Sequence, residues 1–369
     1  MKTTLLLLAL TGIGFTSLAQ TSEEAPTEVS SLDSVAPAYR KWNIYPVLYY
    51  TPETQFGFGT KLVHVRKSKG ALPTDRPDLY SPTLVYTSRK QILTALAADV
   101  WRKHNGQHIS GQLEYNDYPY FFFGIGNNTP DDAEEAYTSR TINFFGQFEE
   151  RVFKQLYLGA RYEFKKETIP EVEPEGQLAQ RTIVGSEGTV ASGFGPLLMI
   201  DSRNNVWTPS KGDYHQFTAI FFGKYLGGED NFTRYKLDLR KYMSGIGPGV
   251  LAVQGLFTFT VGDAPFQFLA PIGGVNVMRG FLEGRFRDED AIVGQVDYRF
   301  PIKGRIGGAV FGGAGQVSKR IPDFAVNEFH LAGGGGLRYK LNKEGMVVRG
   351  DVAFSNQGMY IYFSFAEAF

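Results

Sequence analysis

The chain has 369 residues, 38 basic against 38 acidic side chains, 43 glycines, 30 Phe, 20 Tyr and no cysteine. Balanced charge excludes the polyelectrolyte footprint of a nucleic-acid binder, and the missing cysteines exclude a disulfide frame, a thiolate nucleophile and a zinc–sulfur site. Many aromatics and few prolines argue against disorder, and no apolar run reaches the roughly 18 residues of a spanning helix. Residues 1–19 read as a signal peptide: Lys2, an apolar run from Leu5 to Leu10, then Ser17-Leu18-Ala19 before the cleavage point. No cysteine follows, so no lipid anchor is expected, and an exported chain without cysteine fits the bacterial envelope. Residues 20–42 read as a flexible periplasmic tail, polar and acidic through about Ala38. Residues 43–369 read as one architecture.

That architecture is written in a period of two. Arg161, Glu163 and Lys165 oppose Leu156, Leu158, Ala160, Tyr162 and Phe164. Arg234, Lys236, Asp238 and Arg240 oppose Tyr235, Leu237 and Leu239. Gln295, Asp297 and Arg299 oppose Ile292, Val296, Tyr298, Phe300 and Ile302. Strands are expected to start near 44, 56, 81, 91, 107, 137, 155, 180, 212, 231, 249, 289, 305, 328, 345 and 358. Each has one oily and one wet face. A soluble sandwich would turn the oily face inward; a membrane barrel turns it to lipid. Several charges per polar face, a signal peptide without a stop-transfer helix, and aromatics near segment ends (Tyr45, Tyr49, Tyr50, Tyr118, Tyr120, Tyr225, Tyr298) favour the barrel. In hydrocarbon a β-protein must close on itself to pair its backbone. The fold class predicted is therefore all-β: a transmembrane antiparallel β-barrel of sixteen strands, with fourteen and eighteen as the neighbouring counts, in the bacterial outer membrane and in contact with its lipids.

The last segment resembles the C-terminal signal of bacterial outer-membrane barrels. Asn356, Gly358, Ile361 and Phe363 meet its polar-x-Gly-x-x-apolar-x-apolar form, and Phe369 ends the chain. Ile361, Phe363, Phe365 and Phe369 are expected on one outward face. By the same parity Glu367 faces lipid, at a cost of about 0–1 kcal/mol at the rim.

A more specific likeness lies in residues 273–302. Arg279-Gly280-Phe281 forms an Arg-Gly-aromatic tip, followed by Asp297-Tyr298-Arg299-Phe300-Pro301. This resembles the BamA/TamA-like outer-membrane assembly barrels, also called bacterial surface antigen proteins, with Asp297 where the family usually has Glu. Asp201-Ser202-Arg203 with Pro209 and Gly212 resembles a second family segment, as do Tyr118-Pro119 and Phe123-Gly124-Ile125-Gly126-Asn127. The resemblance implies that the glycine-rich loop folds into the lumen and that Arg279 pairs with Asp297. Parity agrees, since Asp297 shares a face with Gln295 and Arg299. Gly280 would let the backbone pass close to the wall, and Phe281 would wedge against it. The family's next strand often carries a second acid, but Gly313 occupies that place, so the loop is held by one acid or sits differently. The family's periplasmic POTRA domains, about 75 residues each, and the patatin-like domain of some relatives find no room before residue 43.

No catalytic constellation is apparent, so no enzyme, cofactor or metal is expected. His64, His104, His108, His215 and His330 are scattered, and no G-x-S-x-G elbow occurs. The Gly312-Gly313 and Gly333–Gly336 clusters lack a P-loop lysine and read as places for bending or close loop approach. Two functions remain. The first is an accessory or minimal assembly barrel, working with protein partners or as a homo-oligomer, with client β-barrel proteins adding to the edge near 44–51, where Pro46 removes a donor, or near 358–369. The second is a passive channel or structural subunit.

Overall fold

Alternating side chains make strands, and strands need neighbours for their backbone groups. The computed structural model describes residues 39–51, 55–67, 69–72, 74–342 and 345–369. The leader, the tail through residue 38 and the side chains of Tyr49 and Tyr50 lie outside the described residues. The strands are β1 (Tyr39–Thr51), β2 (Gln55–Lys67), β3 (Asp78–Thr87), β4 (Ile92–Arg102), β5 (Gln107–Phe122), β6 (Glu135–Phe153), β7 (Leu156–Val172), β8 (Gly188–Asp201) and β9 (Gly212–Phe222). They continue as β10 (Phe232–Ile246), β11 (Gly249–Gly262), β12 (Ala270–Ile272), β13 (Phe286–Asp288), β14 (Asp290–Lys303), β15 (Ile306–Ser318), β16 (His330–Lys340), β17 (Val347–Ser355) and β18 (Gly358–Phe365).

Sixteen of these form a single antiparallel sheet in chain order from β1 to β11 and β14 to β18, while β12 and β13 pair with each other inside the loop between β11 and β14. Apart from the step from β11 to β14, every neighbour in the large sheet is the next strand in sequence, the up-and-down order of a barrel wall. The wall curls until its first and last strands face one another: the rings of Tyr45 on β1 and Phe365 on β18 lie 6.1 Å apart. The start expected near 180 falls instead at Gly188, because 178–180 forms a single 3-10 turn whose buried Leu178 packs with Phe122, Tyr137 and Phe266.

The oily faces look out. Ile44, Phe58, Leu96, Phe194, Val261 and Phe354 are all more than half exposed, as lipid-facing groups must be, while Asp238, Gln254, Gln295 and Asp297 are buried on the inner face. Three of the aromatics expected at the interface point the other way. Tyr45, Tyr118 and Tyr120 line the lumen, because their parity is that of Lys61 and Glu114, whereas Tyr225 is exposed at the rim. Connections at the rim opposite Tyr39 include the long segments 123–134, 173–187, 263–289 and 319–329, the pattern of extracellular loops over shorter periplasmic turns. At the near rim, the turn 202–211 and residues 341–342 and 345–346 fold under the barrel. There Trp207 and Leu341 join Val63, Val65 and Met346 in an apolar floor.

Candidate functional site

The 263–289 loop enters the lumen because its own side chains are apolar where they meet the wall. Ala270, Ile272, Met278, Phe281 and Phe286 bury themselves against Leu256, Ala291, Val293 and Val317. Phe266 and Phe268 anchor the loop's first arm in two further clusters. The short β12/β13 ladder satisfies the backbone of the loop's two arms.

At the tip, the Met278 N–H donates to Gln295 Oε1 at 2.9 Å. Arg279 then reaches the wall between two carboxylates. Its Nη2 lies 2.5 Å from Asp297 Oδ1 on β14, and its Nη1 lies 2.7 Å from Asp351 Oδ2 on β17. The guanidinium carbon sits 3.5 Å from the centroid of the Phe311 ring, so the cation is held at its edge by charge and on its face by an aromatic quadrupole. The side chains of Arg279 and both acids are 1% exposed or less. In such a place an unpaired charge is costly, and the pairing is what makes burial tolerable.

Sheet register explains how five strands build this site. Arg299, Ala309, Gly336, Asp351 and Tyr362 are successive partners from β14 to β18, and so lie in one row on the inner face. Arg338 and Arg349 pair in the next row and flank Asp351 at 2.5 and 3.1 Å. Arg349 also donates to the Val275 carbonyl at 2.8 Å and to Asn276 Oδ1 at 2.7 Å, a second tie from wall to loop.

Gly280 has φ +119°, and a Cβ there would meet the Ala332 Cβ at 2.9 Å, so the chain passes too close to the wall for a side chain. Its N–H donates to Tyr362 Oη at 3.1 Å, Tyr362 donates on to the Phe281 carbonyl at 3.0 Å, and Ser355 Oγ donates to the Gly280 carbonyl. Phe281 is fully buried, edge-on to Phe286 and His330.

Three expectations need correction. The loop is held by two acids, not one. Gly313 leaves room for Met278, whose Sδ would lie 3.0 Å from a Cβ, and Asp351 supplies the second carboxylate from two strands further on. Phe369 does not face lipid. Ala366 takes φ +64°, which breaks the period of two, and Phe369 turns inward to pack with Tyr242 and Ala252. Arg299 donates to its main-chain oxygen at 2.8 Å. The same kink brings Glu367 inside, where it meets Arg338 Nε at 2.9 Å and lies 3.6 Å from Arg299. Of the other C-terminal residues, Ile361 and Phe363 are exposed on the outer face, and Asn356 and Gly358 are exposed at the β17–β18 turn. Asp351, Arg338, Arg349 and Tyr362 were not singled out from sequence, although inward parity on β16 to β18 marks each of them.

The second family-like segments also meet this loop or the floor. Gly126 donates to the Arg287 carbonyl at 2.8 Å, and Asn127 Oδ1 accepts from Val317 N–H at 3.1 Å. Asp201 is gripped by Arg76 at 2.6 Å and Arg203 at 2.8 Å near the opposite rim.

No curated protein matches the chain by sequence. Among solved structures, it is similar to BamA from Haemophilus ducreyi lacking POTRA domains 1–3, at 12% identity and TM-score 0.59, covering 89% of this chain and 70% of that one. It is similar to CdiB from Acinetobacter baumannii (10% identity, TM-score 0.55, 89% of this chain and 65% of that chain). CdiB from Escherichia coli matches at 8% identity and TM-score 0.56, over 90% of this chain and 67% of that chain. At these identities the likeness shows the fold. A family model, the Omp85 superfamily domain, matches residues 81–363, which include the whole lock from Arg279 to Asp351. The chain belongs to the Omp85 superfamily, as an outer-membrane β-barrel with its 263–289 loop inside the lumen.

Proposed function

We propose that this chain is an accessory or minimal barrel of outer-membrane biogenesis, working beside protein partners or as a homo-oligomer on client β-barrel proteins. The observation that carries the reading is the asymmetry of the wall. On one side the loop is clamped to β14–β18 by Arg279, Asp297 and Asp351, which stiffens that half. The sheet nevertheless has two terminal strands, β1 and β18, and the latter is only 8 residues long. A short edge strand beside a rigid wall suits β-augmentation by an incoming strand. Pro46 in β1 lacks a ladder donor, which favours a loose edge.

The passive-channel alternative has less support, because the apolar loop core and the apolar floor both occupy the lumen. Depletion separates the two. Lower levels of several outer-membrane barrel proteins are expected on depletion, and affinity capture of the native protein in detergent should bring partners with it. Normal barrel-protein levels together with reduced small-solute permeability would defeat the assembly reading.

A further inference from the structure

Between the loop core and the apolar floor lies a cavity of about 840 Å³, within the range of small-molecule sites. Its wall is the inner face of β2 to β7. Lys61, Thr83, Ala95, Glu114, Asn143 and Lys165 are successive cross-strand partners there, so one polar row runs around the lumen. Val47, Val85, Leu93 and Val275 supply an apolar lining beside it.

Two features point to an occupant. First, the cavity abuts the seam of the wall. Phe363, Ser364 and Phe365 of β18 line it together with Pro46 and Val47 of β1. Among the described residues β1 and β18 share no hydrogen-bonded ladder, so the lining stands beside a gap between them. Apolar layers lie above and below, so the gap leads to the bilayer. Second, the charges on the row are unevenly satisfied. Lys165 pairs with Glu167 at 2.8 Å, and Glu114 takes amide N–H groups from Gln112 and Asn143. Lys61 has no carboxylate at ion-pair distance among the described residues; its ammonium stands 6.0 Å from the Phe365 ring, at the gap. A half-buried cation without an anion is a binding group in waiting. Glu114 and the loop's Glu283 face the same space, so among the described residues the lining sets Lys61, without a carboxylate at ion-pair distance, near two acids.

We propose that this cavity holds a membrane phospholipid whose head carries both a phosphate and an ammonium, entering between β1 and β18. Lys61 takes the phosphate, Glu114 takes the ammonium, and an acyl chain lies along Val85 and Leu93. An extended client strand fits the same space less well, because the polar row presents side chains, and a strand is recognised by backbone at an edge.

The test uses the full chain reconstituted in vesicles of equal phosphatidylethanolamine and phosphatidylglycerol, then extracted in mild detergent. Retained lipid is measured by mass spectrometry, and a phosphatidylethanolamine with a photoactivatable acyl chain maps the site. Expected are retention of phosphatidylethanolamine over phosphatidylglycerol and crosslinks at Val85 and Leu93. Lys61→Gln should lower retention about tenfold, the value of one charge-assisted hydrogen bond, while Lys61→Arg keeps it. Ala95→Phe, which fills the cavity and leaves the charges alone, should abolish the inner crosslinks in barrels that still migrate as folded bands on unheated gels. Crosslinks confined to outward residues such as Leu84 and Leu96, equal retention by wild type and Lys61→Gln, or displacement only by a peptide of β-strand character would each overturn the proposal.

Discussion

Arg279 joins the loop tip to two buried acids and an aromatic face, and its chemistry sets what a substitution does. Removing it leaves Asp297 and Asp351 buried beside Arg338 and Arg349 with a contact missing, and breaking a buried pair costs about 3–5 kcal/mol. Arg279→Ala is therefore expected to lower the urea midpoint of the folded, unheated gel band by an amount of that order. Arg279→Lys keeps the charge but not the fork that spans two acids, so it should fall between wild type and alanine. A double-mutant cycle of Arg279→Ala with Asp351→Asn should show strong coupling, and additive effects would mean that the two groups do not act as one unit. Asp131, on the loop after β5 and outside the membrane, gives a pH signature. Hydrogen bonds from Gln357 and Arg285 hold its carboxyl below the usual carboxylate range. Its folded pKa is thus depressed, so the stability it lends is complete above the unfolded value and is lost as pH falls through the folded one. Hydrogen exchange around residues 127–134 should speed up in strong acid relative to neutral pH after correction for intrinsic rates, and Asp131→Asn should remove that dependence.

At the scale of elements, the glycines of β15 and β16 decide whether the loop can dock. A Cβ on Gly336 would collide with the Asp351 carboxylate and with the Gly350 carbonyl. Gly336→Ala should therefore displace the acid that Arg279 needs, raising protease cleavage within 263–289 while the far wall of β4–β7 keeps its protection; uncut loops in a folded Gly336→Ala barrel would refute this coupling. Much of this level was legible in the sequence. Alternation located the strands, with starts expected at 107, 212, 249 and 358 falling at Gln107, Gly212, Gly249 and Gly358. It placed Arg299 and Asp297 on the inner face, because parity carries across any unbroken strand. It failed where the period breaks. The left-handed Ala366 reversed Phe369 and Glu367, and no local signal marks an alanine for that conformation. Asp351 escaped notice for another reason. Its role depends on cross-strand register between β14 and β17, which a single strand's pattern does not contain.

For the whole molecule, the decisive arrangement is a lumen filled at two levels. The far rim is occupied by the loop core around Phe281, Phe286 and Ile272, and by the neighbouring cluster of Phe222, Phe232 and Phe268. The near rim is occupied by Val63, Val65 and Met346 with Trp207, and by Tyr242 with Phe369. An ion crossing the barrel along its axis must pass both layers, and moving a charge through packed apolar groups carries a large desolvation penalty. The barrel should therefore conduct poorly in a planar bilayer even though its inner wall is heavily charged. Replacing residues 264–288 by a short Gly/Ser link removes only the far layer, so conductance should rise modestly. Adding Trp207→Gly and Met346→Gly, which thins the floor as well, should raise it much further than the two changes do separately, since two barriers in series are each limiting until both are gone. If the loop deletion alone gives the full rise, the floor is no barrier, and the charged row from Lys61 to Lys165 is then open to the near rim as well as to the gap beside β18.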